Sequence, residues 1–182
     1  LYAFSSENWK RPESEVNGLM ELLRLYIRRE LDELARNDVC IRMIGDRSRL
    51  APDIVELITE AEAKTQNNHT LTLVIALSYG GQDEIVEACR RLAEQVAAGK
   101  LSPQDITTTS FANHLQTAGI PDPDMIIRTS GEQRLSNFLI WQSAYSELIF
   151  VDKLWPDFSS QDLAAAVEEF QRRERRYGGS GE

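Results

Sequence analysis

Apolar positions recur along the chain with two periods, and the alternation between them predicts the architecture. Residues 1–4 read as the end of a buried strand. After Pro12, whose fixed φ suits a first helical turn, Val16, Leu19, Met20, Leu23, Ile27, Leu31 and Leu34 return at helical spacing, predicting a long helix through Arg36. Leu22, Leu25 and Tyr26 widen its apolar face beyond what one sheet contact needs, so core, cavity lining and subunit contact are all open to them. Residues 39–44 alternate and close at Gly45-Asp46, a second strand. Pro52 starts a helix with Ile54, Val55, Ile58 and Ala61 on one side, ending near Asn67-Asn68. The continuous apolar run at 71–77 predicts a central strand covered on both faces. An amphipathic helix over 83–98, stopped by Gly99, follows. The irregular stretch 101–122 reads as a connector with a short helix at 110–116. A strand at 125–127, a short helix at 137–143, a strand at 148–151 and a helix capped by Ser159 complete the series. Leu163, Val167 and Phe170 form that last helix's expected core face.

The repeated β-α order predicts an α/β fold, a mostly parallel sheet covered by helices in a single domain. In such a sheet the loops leaving the strands' carboxyl ends share one edge, where ligands bind. The polar loops at 5–11, 78–82 and 128–136 all leave strands in that sense and are expected to converge on one site.

With 182 residues, 42% of them hydrophobic, the chain can bury one core. No apolar run approaches the roughly 20 residues of a membrane span, and the start is not signal-like, so the reading is a soluble, cytoplasmic protein. The net charge of −9 argues against nucleic acid as a partner. It also means that an anionic ligand must be captured by local arginines or a metal. Cys40 in a strand and Cys89 in a helix have no ligand spacing and read as buried thiols in a reducing compartment, while His69 and His114 stand alone, against a zinc site.

The densest chemistry lies in residues 124–158. A short apolar run is followed by Arg128, Thr129, Ser130, Gly131, Glu132, Arg134, Ser136 and Asn137. Two guanidiniums interleaved with hydroxyls, and a glycine that lets backbone N–H groups approach closely, suit a di- or polyphosphate. A solvated loop with surface Arg–Glu pairs has the same composition. Glu132 and Glu147 are tolerated beside an anion if each orients an arginine or holds a divalent metal bridging to phosphate. The Gly80-Gly81 pair is by itself weak support for phosphate binding.

The stretch RTSGEQRLSNFLIWQSAYSELIFVDKLWPDF resembles the C-terminal signature of the cis-prenyltransferases, the undecaprenyl diphosphate synthase family, and AFSSENWKRP at 3–12 resembles a second signature. The resemblance covers essentially the whole chain. It implies repeated condensation of isopentenyl diphosphate with an allylic diphosphate such as farnesyl diphosphate, giving a long polyprenyl diphosphate, the bacterial lipid carrier for cell-wall glycan. In the family's pattern Arg128, Arg134 and Ser136 bind isopentenyl diphosphate, Leu135 is a substrate-binding position, and Glu147 is a Mg²⁺ ligand. Ser5, Ser6, Glu7, Trp9 and Arg11 match substrate-contacting positions. Asn8 matches the position assigned to proton removal; an amide is a poor base, and orienting water or a diphosphate oxygen suits it better. For Trp9 the plain alternative is a packing aromatic, and for Glu147 an orienting partner of Arg134. Arg176 and Gly178 match an Arg-x-Gly tail that reaches into a partner's active site, which implies a homodimer. Contact with a membrane surface, without a transmembrane segment, is expected only transiently, for product release.

The sequence departs from the family at Ser78 and Gln82, where relatives usually read Asn-Tyr-Gly-Gly-Arg. Relatives also carry an earlier strand, an Asp-Gly-Asn phosphate loop and a helix ahead of the point where Leu1 stands. These 182 residues are therefore expected to form an N-terminally incomplete domain that binds isopentenyl diphosphate weakly and does not elongate it. Two other functions compete: a non-catalytic dimer partner and a generic phosphate-binding α/β module. The complete SSENW and RTSGEQR blocks favour the enzyme.

Overall fold

The computed structural model describes residues 1–174, and its chain divides into two compact units, Leu1–Ala118 and Gly119–Glu182. The first unit contains β1 (Tyr2–Ser5), α1 (Glu13–Arg36), β2 (Val39–Ile44), α2 (Pro52–Thr65), β3 (Leu71–Tyr79), α3 (Gly81–Ala97) and the short α4 (Thr108–Ala112). The second contains β4 (Met125–Arg128), β5 (Glu147–Phe150) and α5 (Ser160–Arg172).

Every strand pairing is parallel, as the β-α alternation requires. In the first unit β3 is central, between β1 and β2, and β2 runs beside it in unbroken register from Val39↔Leu71 to Ile44↔Ala76. In the second unit β4 pairs with β5 from Met125↔Glu147 to Arg128↔Phe150. Phe4, Val16, Met20, Met43, Leu50, Ile54, Ile58 and Leu77 form the main core, where α1 and α2 meet the carboxyl-terminal half of the sheet.

That asymmetry corrects the expectation of a β3 covered along its length: Ala76 to Tyr79 are buried, whereas Leu71 is 56% exposed. The wide face of α1 resolves in the same way. Val16, Met20 and Leu31 are buried, while Leu22, Leu25 and Tyr26 are each more than half exposed and take no part in the core. On α3 the buried line is Gly81, Glu84, Ala88 and Leu92; Cys89, a further 100° round the helix, is exposed, and Cys40 is only half-buried. On α5 the buried residue is Ala166, and Leu163 and Val167 are exposed, because two strands are too narrow to cover a full apolar stripe.

No helix forms at 137–143. The segment is a succession of turns, with Ser136, Asn137 and Leu139 at φ 50°, 64° and 45°, a left-handed conformation that a right-handed helix cannot contain. Two other ends follow their sequence signals. Gly99 leaves α3 at φ 68°, and Ser159 caps α5 by accepting from Asp162 N–H while Asp162 accepts from Ser159 N–H.

Two tests follow from local geometry. Gly45, at φ 123°, crosses so close to β3 that a Cβ there would lie 1.8 Å from the Leu77 carbonyl oxygen. Gly45→Ala is expected to cost about 3 kcal/mol or more in urea unfolding; a loss below about 1 kcal/mol would mean that β2 and β3 part easily. At the start of α5 the Asp162 carboxyl is held well below the usual carboxylate range, first by the Lys153 ammonium and then by the Ser159 hydroxyl and amide. A lowered folded-state pKa means a stabilising contribution present above the unfolded value near 4 and lost as pH falls. Asp162→Asn should therefore flatten the decline of melting temperature below about pH 4.

Candidate active site

The loop at 5–11 is a 3₁₀ turn, Ser6–Lys10, closed by a reciprocal cap. Ser5 Oγ accepts from Asn8 N–H at 3.2 Å, and Asn8 Oδ1 accepts from Ser5 N–H at 2.9 Å. Because the Ser5 amide can only donate, its partner must be the Asn8 carbonyl oxygen, and what Asn8 can offer a ligand is its amide N–H. A base it is not. Trp9 lies edge-on to Phe4, with ring centroids 5.0 Å apart, takes the Arg49 guanidinium over its face at 5.0 Å, and donates its indole N–H to Ser78 Oγ at 2.9 Å. These contacts hold the ring between Phe4, Arg49 and Ser78. Arg11 is exposed and paired with Glu15 at 2.7 Å.

Ser78 is one of the two departures from the family pattern. It is buried, and its φ of 53° is one that asparagine tolerates better than serine; in place of the amide, a hydroxyl accepts the Trp9 N–H. The residues after it form the entry to α3. Tyr79 donates to Glu84 at 2.6 Å, and Glu84 also accepts from the Gln116 backbone, so both oxygens of this buried carboxylate are hydrogen-bonded. Ser6, Gly45, Asp46, Ser78, Tyr79 and Gly80 line one cavity of about 620 Å³, with Arg47, Arg49, Arg90 and Arg91 among the residues around it. The structure thus brings the first two polar loops together at the carboxyl edge of the first sheet and adds the 45–49 loop to them. The sequence offered the same signal there, a polar Gly-Asp-Arg-Ser-Arg run leaving a strand.

In the second unit Arg128 ends β4 and curls its guanidinium onto the following loop, donating to the Arg134 carbonyl oxygen at 2.6 Å and to Ser136 Oγ at 2.7 Å. Arg134 is exposed and paired with Glu132. The three sequence-predicted polar residues Arg128, Arg134 and Ser136 therefore lie in one turn, with Leu135, half-buried, inside it. The role assigned to Gly131 changes. The Ser130 and Gly131 amides donate to the carbonyl oxygens of Lys153 and Val151, so they serve the chain rather than an anion. Gly131, at φ 67° with a Cβ position 3.3 Å from Asp152 Oδ1, is needed for that turn and approach.

Glu147, the first residue of β5, does not orient Arg134. Its carboxylate accepts from Arg173 Nη1 at 3.0 Å; the same nitrogen donates to the Leu148 carbonyl oxygen, and Arg173 Nε reaches Glu169 at 3.2 Å. The Arg173 guanidinium is held above its ordinary pKa by these bonds, that to Glu147 first. The sequence hid this pair, since 26 residues separate its members. Arg176 and Gly178 lie outside the described residues.

Against known proteins, the model of putative undecaprenyl diphosphate synthases matches residues 1–178. An isoprenyl transferase of Rhizobium meliloti is 58% identical over 98% of this chain and 72% of its own, and one from Clostridium perfringens is 51% identical over 98% and 71%. Among solved structures, lavandulyl diphosphate synthase from Lavandula x intermedia, in complex with dimethylallyl diphosphate, superposes with a TM-score of 0.94 at 40% identity, covering 97% of this chain and 77% of that one. A probable undecaprenyl diphosphate synthase from Campylobacter jejuni gives 0.88 at 37%, over 98% and 81%. The class these matches define is a transferase built on parallel α/β sheets. Within it, the chain belongs to the undecaprenyl diphosphate synthase family of prenyltransferases.

Such prenyltransferases generally depend on a metal. Among the described residues no group of three or more His, Cys, Asp or Glu is placed to hold one. Glu147 fits the lesser role of a single carboxylate donor to an ion that takes its other oxygens from phosphate and water, which is how Mg²⁺ is commonly bound.

Ser78→Ala removes the acceptor of the Trp9 N–H. It is expected to cost about 1 kcal/mol and to shift tryptophan emission; an unchanged spectrum and stability would mean that the bond is not made in solution.

Proposed function

We propose that this protein is a cis-prenyltransferase that joins isopentenyl diphosphate to an allylic diphosphate, farnesyl diphosphate or one like it. Each cycle forms a cis double bond, and the product is a long polyprenyl diphosphate, undecaprenyl diphosphate for the cell-wall glycan carrier. The observation that carries the reading is the turn in which Arg128 holds Ser136 while Arg134 presents an exposed fork beside Glu132. A surface ion pair of this kind is worth about 0–1 kcal/mol, so a diphosphate competes with Glu132 for the fork at small cost. The neighbour solved with dimethylallyl diphosphate supports an allylic diphosphate as second substrate.

In this reading Arg128, Arg134 and Ser136 fix the isopentenyl diphosphate, with Leu135 against it, so that the C5 double bond faces the allylic carbon. The allylic C–O bond breaks, a C–C bond forms, and a proton leaves the added unit. Asn8, with its carbonyl committed to Ser5, orients the proton acceptor through its N–H and takes no proton itself. Ser5, Ser6, Glu7, Trp9 and Arg11 form the remaining substrate surface. Mg²⁺, held by Glu147, would supply charge stabilisation for the departing diphosphate. Homodimerisation, with Arg176 and Gly178 serving the partner's site, a cytoplasmic location and release of product at a membrane surface complete the proposal. No described helix is long and apolar enough to cross a membrane.

Binding measurements test the assignment whether or not these residues turn over alone. Arg134→Ala is expected to weaken isopentenyl diphosphate binding about tenfold or more, the worth of a charged hydrogen bond, and to leave a farnesyl diphosphate analogue nearly unaffected. Equal losses for both ligands would overturn the subsite. With radiolabelled isopentenyl diphosphate, farnesyl diphosphate and Mg²⁺, a competent protein should give polyprenyl products, and Glu147→Gln should raise the Mg²⁺ concentration needed; an unchanged Mg²⁺ titration would remove Glu147 from the metal.

A further inference from the structure

We propose that Arg173 is a resident counter-cation for Glu147: it occupies the carboxylate that a divalent metal uses and sets, by competition, how tightly that metal binds. The inference rests on reading Glu147 as a metal ligand. Arg173 follows α5 directly, with an extended backbone at φ −81° and ψ 137°, so its side chain is not fixed to the helix face. The guanidinium stands between two carboxylates, with Nη1 on Glu147 Oε2 at 3.0 Å and Nε on Glu169 Oε1 at 3.2 Å. Glu147 is the more enclosed, its side chain 26% exposed against 47% for Glu169.

This arrangement has two consequences. A half-buried carboxylate waiting for a cation is costly if bare, and Arg173 removes that cost in the metal-free protein. When a metal arrives, the guanidinium gives up Glu147 and keeps two acceptors, the Leu148 carbonyl oxygen through the same Nη1 and Glu169 through Nε. The exchange is therefore cheap in both directions, and the metal site is neither empty of charge nor blocked. An arginine that merely aimed Glu147 at the metal would strengthen metal binding rather than oppose it.

The test is titration of the protein with Mn²⁺ in the presence of saturating inorganic diphosphate, read by water-proton relaxation. Arg173→Gln is expected to tighten Mn²⁺ about fivefold, the factor that one partly exposed ion pair is worth. Arg173→Lys, a point charge that cannot span both carboxylates, should fall between that variant and the unaltered protein; if the glutamine variant does not fold, as thermal melting would show, the lysine variant decides alone. Glu147→Gln should weaken Mn²⁺ binding, in the opposite direction to the Arg173 variants. If Glu147→Gln binds Mn²⁺ like the unaltered protein, the metal assignment itself fails and takes the inference with it. If Glu147→Gln weakens Mn²⁺ binding while the Arg173 variants bind it no tighter, or more weakly, competition is overturned and the assignment stands.

Discussion

The Leu77 carbonyl oxygen leaves no space for a side chain at residue 45, and the candidate site of the first unit depends on that exclusion. It lets the chain leaving β2 turn flat against β3, where Gly45 N–H meets Gln116 and Asp46 N–H meets the Ser78 carbonyl oxygen. Held there, the 45–49 loop becomes one wall of the cavity and delivers Arg49 to the face of Trp9. Trp9 in turn reaches Ser78, so the loop after β1, the loop after β2 and the entry to α3 are fixed to one another by a few bonds. None of them is strong alone. What makes them hold is that each polar group is already near its partner once the parallel register of β2 on β3 is set.

Electrostatically, the protein solves its own problem before any ligand arrives. With a net charge of −9 its overall field repels anions, so the diphosphates proposed as its ligands have to be met by local cations. It does so by pairing them loosely. Arg11 with Glu15 and Arg134 with Glu132 are both at least partly exposed. Such pairs keep the cations oriented without binding them so firmly that a polyanion could not take them over.

Most of the fold was legible where periodicity was strong. The helical spacing after Pro12 and the continuous apolar run at 71–77 placed α1 and β3 within a few residues, and Gly99 and Ser159 marked their helix ends. Side-chain partners were not legible. Nothing in the spacing of Glu147 and Arg173 says that they meet, because the contact depends on where α5 ends over β5. The short helix expected at 137–143 does not form because Ser136, Asn137 and Leu139 are left-handed, adjoining the Arg128 bonds. Similarly, Leu163 and Val167 have helical spacing, yet the spacing cannot reveal how wide a sheet lies beneath them. The family likeness supplied the chemistry of 128–136 at once. Only the coordinates assigned the amides of Ser130 and Gly131 to the protein's own carbonyls.

The position of Cys89 offers experimenters something else. It lies on α3 between Val86 and Arg90, both of which line the cavity, but is turned outward and exposed, whereas Cys40 is half-hidden in β2. A thiol so placed reacts first with a maleimide, and a fluorophore attached there would sit on the outer surface of the cavity wall without filling the cavity. Ligand entry could then be followed as a change in the dye's surroundings, in a protein whose own binding groups are left untouched.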